Sequence, residues 1–265
     1  TVWYASINPD GSLGNWITTT SLPVNTGSHV TVLWNGRIYV IGGWTGYGWL
    51  NTVYYASINA DGSLSSWVST TSLPEPRGHE QAGTVNEGIV YELGGQYYGD
   101  ISNQLHDTVY YGKIRADGEI EGWLSSTSLP SQMGGHRVSV LGDRMYFIGG
   151  RYSIPIYPNV VDKVYSSRIQ TDGSLGSWSE EPSLPAKRVH HSSITYGDRI
   201  YVFGGENEDG EIVGTVYSFA AVTVNAKIDL DPDTLNLKSK GEWITCYIEL
   251  TKKYSVADIA VSTIL

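Results

Sequence analysis

A single segment is written four times along this chain, and that repetition limits the possible fold more than any other feature. TVWYASINPDGSLGNW opens the sequence, NTVYYASINADGSLSSW starts at Asn51, TVYYGKIRADGEIEGW at Thr108 and KVYSSRIQTDGSLGSW at Lys163. The tryptophans Trp16, Trp67, Trp123 and Trp178 fall 51, 56 and 55 residues apart. The diglycines Gly42-Gly43, Gly94-Gly95, Gly149-Gly150 and Gly204-Gly205 fall 52, 55 and 55 apart. Between each tryptophan and the next diglycine lie a Ser-Leu-Pro, beginning at Ser21, Ser72, Ser128 and Ser183, and a histidine. A catalytic motif has no need of four copies. A repeat of this length is a supersecondary unit that cannot bury its faces alone and stacks on copies of itself.

Each period holds four strand candidates. The first follows the histidine, as in HVTVLWN, and is turned by Asn35-Gly36, Glu87-Gly88, Gly142-Asp143 or Gly197-Asp198. The second ends at the diglycine: RIYVIGG, GIVYELGG, RMYFIGG and RIYVFGG. A variable loop leads to the third, typified by TVYYASI, and the Asp-Gly turn leads to the fourth, which carries the tryptophan. Proline, which cannot donate to a ladder, then stops it. No segment has helical periodicity. Four antiparallel strands in about fifty residues describe one blade of a β-propeller. The diglycine closing an apolar strand, the Val-Tyr strand after it and the tryptophan beyond resemble kelch repeats. The resemblance covers roughly residues 1–221. It implies an all-β, kelch-like propeller of four-stranded antiparallel blades and says little about function, because such propellers serve as enzymes, glycan binders and interaction scaffolds.

The expected propeller spans residues 1–222, with repeats at about 1–26, 27–77, 78–133, 134–188 and 189–222. Five Val-Tyr-type strands (Val2, Val53, Val109, Val164, Val216) stand against four of every other landmark. Either residues 2–20 supply the outer strands of the last blade and close a small ring, or the chain is part of a larger one. Residues 223–265 lack every landmark and read as a short β-rich segment, similar to modules of bacterial and archaeal surface proteins. Asp229, Asp231 and Asp233 alternate there and could offer hard oxygen ligands to calcium. The glycine and further ligands of an EF-hand loop do not follow, so no cofactor is expected.

The formal net charge of −10, dispersed along the chain, excludes a basic nucleic-acid footprint and an anionic membrane surface. No apolar run reaches the roughly eighteen residues that span a bilayer. The lone Cys246 rules out an internal disulfide framework and also the cysteine–tyrosine cross-link of a galactose-oxidase-like site. The sequence begins inside a repeat, so a signal peptide would lie before Thr1. With few lysines on a polar surface and a surface-module-like tail, a secreted or cell-surface setting is expected.

Strand parity places the loops entering strand one and those joining strands two and three at the same end of every blade, opposite the Asn-Gly and Asp-Gly hairpins. Variable loops on a rigid scaffold carry function. Here they hold Trp44, Tyr47, Trp49, Tyr97, Tyr98, Tyr152 and Tyr157. Aromatic plates beside carboxylates and amides suit sugar rings. His29, His79, His136 and His190 fall five or six residues after their prolines and are expected to occupy one position in each blade, near the channel mouth. There His79, His136 and His190 join the candidate ligand-binding set; structural bonding to an adjacent blade competes with that role. Arg77, Arg137 and Arg188 lie near the same mouth, where pairing with carboxylates is expected. No catalytic residue is assigned. No G-x-S-x-G, H-E-x-x-H or phosphate loop is present. The expected function is a non-catalytic extracellular propeller binding a glycan or surface protein. Two alternatives stand beside it: a subunit of a surface layer or fibre completed by neighbouring copies through its terminal strands, and a lyase or epimerase using His136 and Tyr152 at the mouth.

Overall fold

The computed structural model describes residues 1–97, 104–152, 159–220, 227–231 and 245–249. The chain divides into two compact units, Thr1–Phe219 and Ala220–Leu265. Every regular element among the described residues is a strand. None of them is a helix long and apolar enough to cross a membrane.

The chain opens with the hairpin β1 (Val2–Tyr4) and β2 (Ile17–Thr19). Four blades follow. Blade one is β3 (Val30–Trp34), β4 (Arg37–Ile41), β5 (Val53–Ser57) and β6 (Val68–Thr70). Blade two is β7 (Gly78–Asn86), β8 (Ile89–Tyr97), the short β9 (Gln104–Leu105), β10 (Val109–Lys113) and β11 (Leu124–Ser125). Blade three is β12 (Arg137–Leu141), β13 (Arg144–Ile148), β14 (Val164–Arg168) and β15 (Ser179–Glu181), and blade four is β16 (Ser192–Tyr196), β17 (Arg199–Phe203) and β18 (Val216–Ala220). Within each blade the strands of the repeat pair in succession, and in blade two β8 takes both the short β9 and β10 as antiparallel partners. The tight turns explain the first pairing: Asn35 and Gly36, like Glu87 and Gly88, all have positive φ, the geometry that matches strand twist in a two-residue hairpin. In the second unit β19 (Lys227–Asp231) pairs antiparallel with β20 (Thr245–Glu249).

Alternation along each strand gives a blade two apolar faces. The forward face meets the next blade and the rear face the previous one. Val30, Val32, Tyr39, Ile41 and Val53 of blade one close on Val90, Tyr110, Ile114 and Ile120 of blade two. Tyr91, Leu93 and Val109 then close on Met145, Phe147 and Leu175, and Tyr146, Ile148 and Val164 on Ile200 and Val202. The core is therefore a series of interblade seams. Each seam adds polar clasps. The Tyr39 hydroxyl donates to the carbonyl of Gly118 at 2.9 Å, and Tyr91 to that of Gly173 at 2.7 Å, each reaching the Asp-Gly turn one blade on. Ile120 N–H donates to Thr70 Oγ1 at 2.8 Å, Thr71 Oγ1 donates to Ile120 O at 2.6 Å, and the Trp123 indole donates to Thr71 O at 2.9 Å. Leu175 and Trp178 repeat this with Ser126 and Thr127. The recurring tryptophan is a seam residue.

The hairpin β1–β2 stands as a sheet of its own and uses the same clasp on blade one, through Thr19, Thr20, Leu64 and Trp67. It therefore occupies the position of an outer hairpin preceding blade one. The closure in which residues 2–20 complete the last blade is not adopted, because β17 takes β18 as its third strand.

Candidate functional site

The innermost strands β3, β7, β12 and β16 line a channel, and a cavity of about 440 Å³ at its mouth is bordered by Ser28, His79, Glu80, Arg137, His190 and Ser193 among others. The loops after each diglycine open at the same end.

The position that packs against the diglycine of the same blade is filled by His29, Gln81, His136 and His191. The expectation of one equivalent histidine per blade, His29, His79, His136 and His190, therefore needs correction in blades two and four. Gly78 pairs with Gln96 and Gln81 with Gly94, so a bulge inserts one extra residue and displaces His79 toward solvent. In blade four the second member of the His190-His191 pair takes the packing position. His136 and His191 are fully buried. Burial pushes both rings down to about 3, so they are neutral near pH 7. The His136 ring stacks on Phe147 with centroids 4.3 Å apart. Its Cε1 lies 2.8 Å from where a Cβ on Gly94 of the preceding blade would stand. Gln81 fills the same niche, its amide donating to Ile41 O at 3.2 Å. His136 and His191 are wedges in the seams, out of reach of a ligand in the channel, whereas His29 and Gln81 border its cavity.

Arg77 and Arg188 are also seam residues. Arg77 is fully buried, donates to Gly94 O at 2.6 Å and to Thr108 Oγ1, pairs with Glu75 at 2.5 Å and lies over the Tyr110 ring. Arg188 donates to Thr215 Oγ1 at 2.8 Å and lies over the Tyr217 ring, the equivalent partners. The Arg77 carbonyl explains the diglycine of blade one: a Cβ on Gly42 would stand 2.4 Å from it. Arg137 differs. It lines the channel, and the one hydrogen bond it makes among the described residues is Nη1 to His136 O at 2.8 Å.

Displaced from the seams, His79 and His190 reach the mouth. His79 stands edge-on to Trp44 at 5.7 Å and to Trp49 at 5.1 Å, and the two indoles lie 6.0 Å apart. Trp49 is laid flat over the backbone of Gly78: a Cβ there would fall 2.5 Å from its Cε3. Trp44 is exposed and Tyr47 projects fully into solvent. His190 bridges Glu80 and Glu206, with Nε2 2.9 Å from one carboxylate and Nδ1 2.9 Å from the other. Arg151 closes on Glu80 at 3.0 Å from the other side. Burial opposes ionisation of Glu80, yet hydrogen bonds from His190 and Arg151 outweigh it and hold the carboxyl at about 2. The bond to Glu80 raises the His190 ring above its ordinary value against the effect of burial, and Glu206 adds to it. Glu206 follows the last diglycine in the acidic loop that the sequence places at this end, whereas the sequence reading missed Glu80, which stands at no repeated landmark.

Among the described residues six non-glycine positions have positive φ: Ser28, Asn35, His79, Glu80, Glu87 and His190. Asn35 and Glu87 serve hairpin turns. The other four all lie at the channel mouth. Gly135, also at positive φ, takes the corresponding place in blade three. Left-handed backbone at bulky side chains is a local cost that concentrates at functional sites.

Of the remaining candidates, Tyr152 is exposed and hydrogen-bonds Tyr165. Tyr97 ends β8; Tyr98 and Tyr157 lie outside the described residues. Asp229 and Asp231 stand in β19, and Asp233 lies outside the described residues. Among the described residues no group of three His, Cys, Asp or Glu side chains is placed to hold a metal ion.

Comparison with known proteins gives the architecture its class. The Kelch motif family matches residues 26–55, which run from just before β3 into β5 of blade one. The Kelch-like protein terF of Aspergillus terreus is 27% identical over 224 residues, covering 78% of this chain and 46% of that protein. Kelch domain-containing protein 3 of Homo sapiens is 29% identical over 192 residues, covering 68% of this chain and 47% of that protein. The chain thus spans about half the length of these curated relatives. The solved structure of YjhT superposes with a TM-score of 0.60 at 16% identity over 77% of this chain and 65% of that one, a likeness of fold. With the repeat landmarks and the blades on view, these matches define a kelch-repeat β-propeller. Propellers of this repeat type generally bind protein partners.

Proposed function

We propose that this propeller is a non-catalytic binding module of a secreted or cell-surface protein, and that its channel mouth recognises a glycan, free or carried on a partner. The observation that supports this most is the convergence of the Trp44–Trp49–His79 platform with the four left-handed residues at one cavity. The exposed Trp44 face suits the C–H side of a sugar ring, and Ser28, Arg137 and Ser193 offer hydroxyl and guanidinium partners behind it. The Glu80–Arg151–His190–Glu206 cluster holds the rim in one shape, which reduces the entropy that binding must overcome.

The test is a panel of mono- and oligosaccharides titrated against the chain with intrinsic tryptophan emission and calorimetry as readouts. A binder should lose about two- to twelvefold in affinity on Trp44→Ala, the loss of one stacking contact of about 0.5–1.5 kcal/mol. A binder whose affinity is untouched by Trp44→Ala and Tyr47→Ala, or a panel without any binder, counts against the reading.

A further inference from the structure

Arg137 opens β12, the inner strand of blade three, opposite Ile148. By their register with Ile41, Leu93 and Phe203, the residues that take its place in the other blades are Val30, Ala82 and Ser192. A blade therefore forms around an apolar or small neutral side chain there, and the cation of blade three meets no need of the repeat. It also carries a local cost. The guanidinium is half-buried at the channel mouth, where burial works against its charge.

Little offsets that cost within the chain. Nη1 donates to His136 O at 2.8 Å, and Nε and Nη2, which share one edge of the guanidinium plane, meet no acceptor among the described residues. Glu80 is the carboxylate that acts on Arg137 from nearby, and it is already engaged, by Arg151 at 3.0 Å and His190 at 2.9 Å. Glu206 takes the other ring nitrogen of His190. With His190 protonated, Arg151 and His190 match Glu80 and Glu206, and Arg137 is the unmatched charge bordering the cavity among the described residues. The groups that act on it, or on which it acts, are Glu80, His136 and His191, from blades two, three and four. Its surroundings are thus built by the blades on either side of it.

We propose that Arg137 is the anion-recognising residue of the mouth and that the glycan bound there is acidic, its carboxylate or sulfate ester gripped by the Nε–Nη2 edge. This rests on the glycan reading above and narrows it to one charge class. The open edge offers two parallel donors, the arrangement that pairs with two oxygens of one anionic group. One unmatched guanidinium suits a monoanion; a phosphate monoester, close to doubly charged at neutral pH, would set its second charge against Glu80. A partly buried cation without a counter-ion is unfavourable, so a ligand that supplies the counter-ion relieves it on binding, whereas a neutral sugar leaves it as it was. His79 borders the same cavity and stands edge-on to Trp44 and Trp49, so the aromatic platform and the guanidinium share one space.

Calorimetric titration of galacturonate, its uncharged amide, galactose sulfate and galactose against the wild-type chain and Arg137→Gln tests this. The wild type should bind the two acidic sugars about tenfold or more tighter than the two neutral ones. Arg137→Gln should keep the wild-type far-UV spectrum, since three blades form without the arginine, and should bind all four sugars alike. Trp44→Ala should weaken all four by a similar factor. Equal wild-type affinity for galacturonate and its amide overturns the inference and leaves the glycan reading standing; this comparison needs no variant. An acid preference that persists in Arg137→Gln overturns it as well. A chain that binds none of the four sugars fails the glycan reading, and sulfate ion then decides the anion site. Sulfate should raise the melting temperature of the wild type more than that of Arg137→Gln, and equal shifts overturn the assignment.

Discussion

Glu92 in β8 stands where blades one, three and four carry Val40, Phe147 and Val202. It is fully buried on the rear face of blade two, with Arg77 Nη1 3.5 Å away and no hydrogen-bond partner for either oxygen among the described residues. Burial raises its carboxyl from 4.5 to about 8, with Arg77 opposing. The folded protein therefore keeps a proton that the unfolded chain releases. The sign follows: the contribution to stability is full below pH 4.5 and is lost as pH rises toward 8. Each pH unit in that window costs about 1.4 kcal/mol, so the whole window is of order 3–5 kcal/mol. Glu92→Gln keeps the shape and removes the titration. Urea unfolding of both proteins at pH 5, 6, 7 and 8, followed by tryptophan emission, isolates this group because the other titrations cancel in the difference. The variant should gain on the wild type steadily from pH 5 to 8. Parallel curves, with the variant uniformly weaker, would mean that Glu92 is ionised throughout as a partner of Arg77, and the argument from burial would fail.

Other substitutions probe the mouth and the seams. Gly78→Ala would drive a Cβ into the Trp49 ring, so it should cost about 1–3 kcal/mol and change the near-UV tryptophan spectrum; an unchanged spectrum would show that the ring does not rest there. Tyr91→Phe removes the bond to Gly173 O and should lower stability by about 1 kcal/mol, read as a shift in the urea midpoint. At the rim, His190 is raised and its support is full below 6.5 and lost as pH climbs through its folded value, while Glu80 is lowered and its support is full above 4.5 and lost toward 2. The cluster is thus complete between about pH 4.5 and 6.5, and His190→Gln should abolish the part of the thermal-stability decline above 6.5 that separates it from wild type.

The repeat landmarks alone carried the architecture. Diglycine, Val-Tyr strand, Asp-Gly turn and tryptophan each serve a local need of the blade: a place with no room for a Cβ, an alternating seam strand, a two-residue reversal and an indole clasp. Such needs recur in every blade and are written every time, so the strand order and the blade succession were legible. The expected pairing of arginine with a carboxylate holds for Arg77, which meets Glu75, but Arg188 takes Thr215 and Tyr217 instead. The mouth was only half visible. Trp44 and Trp49 announced themselves by type and loop, but the sequence aligned His79 and His190 with His136, because a count from the proline cannot register the extra residue between Gly78 and Gln81. That bulge decides which histidines are buried wedges and which face solvent. Nor could spacing bring Glu80, Arg151, His190 and Glu206 together from three blades, since their approach depends on how the blades rotate about the channel. The sequence by itself determined the unit, through short-range chemistry repeated in register; the tertiary structure decided the site, which arises only where different units meet.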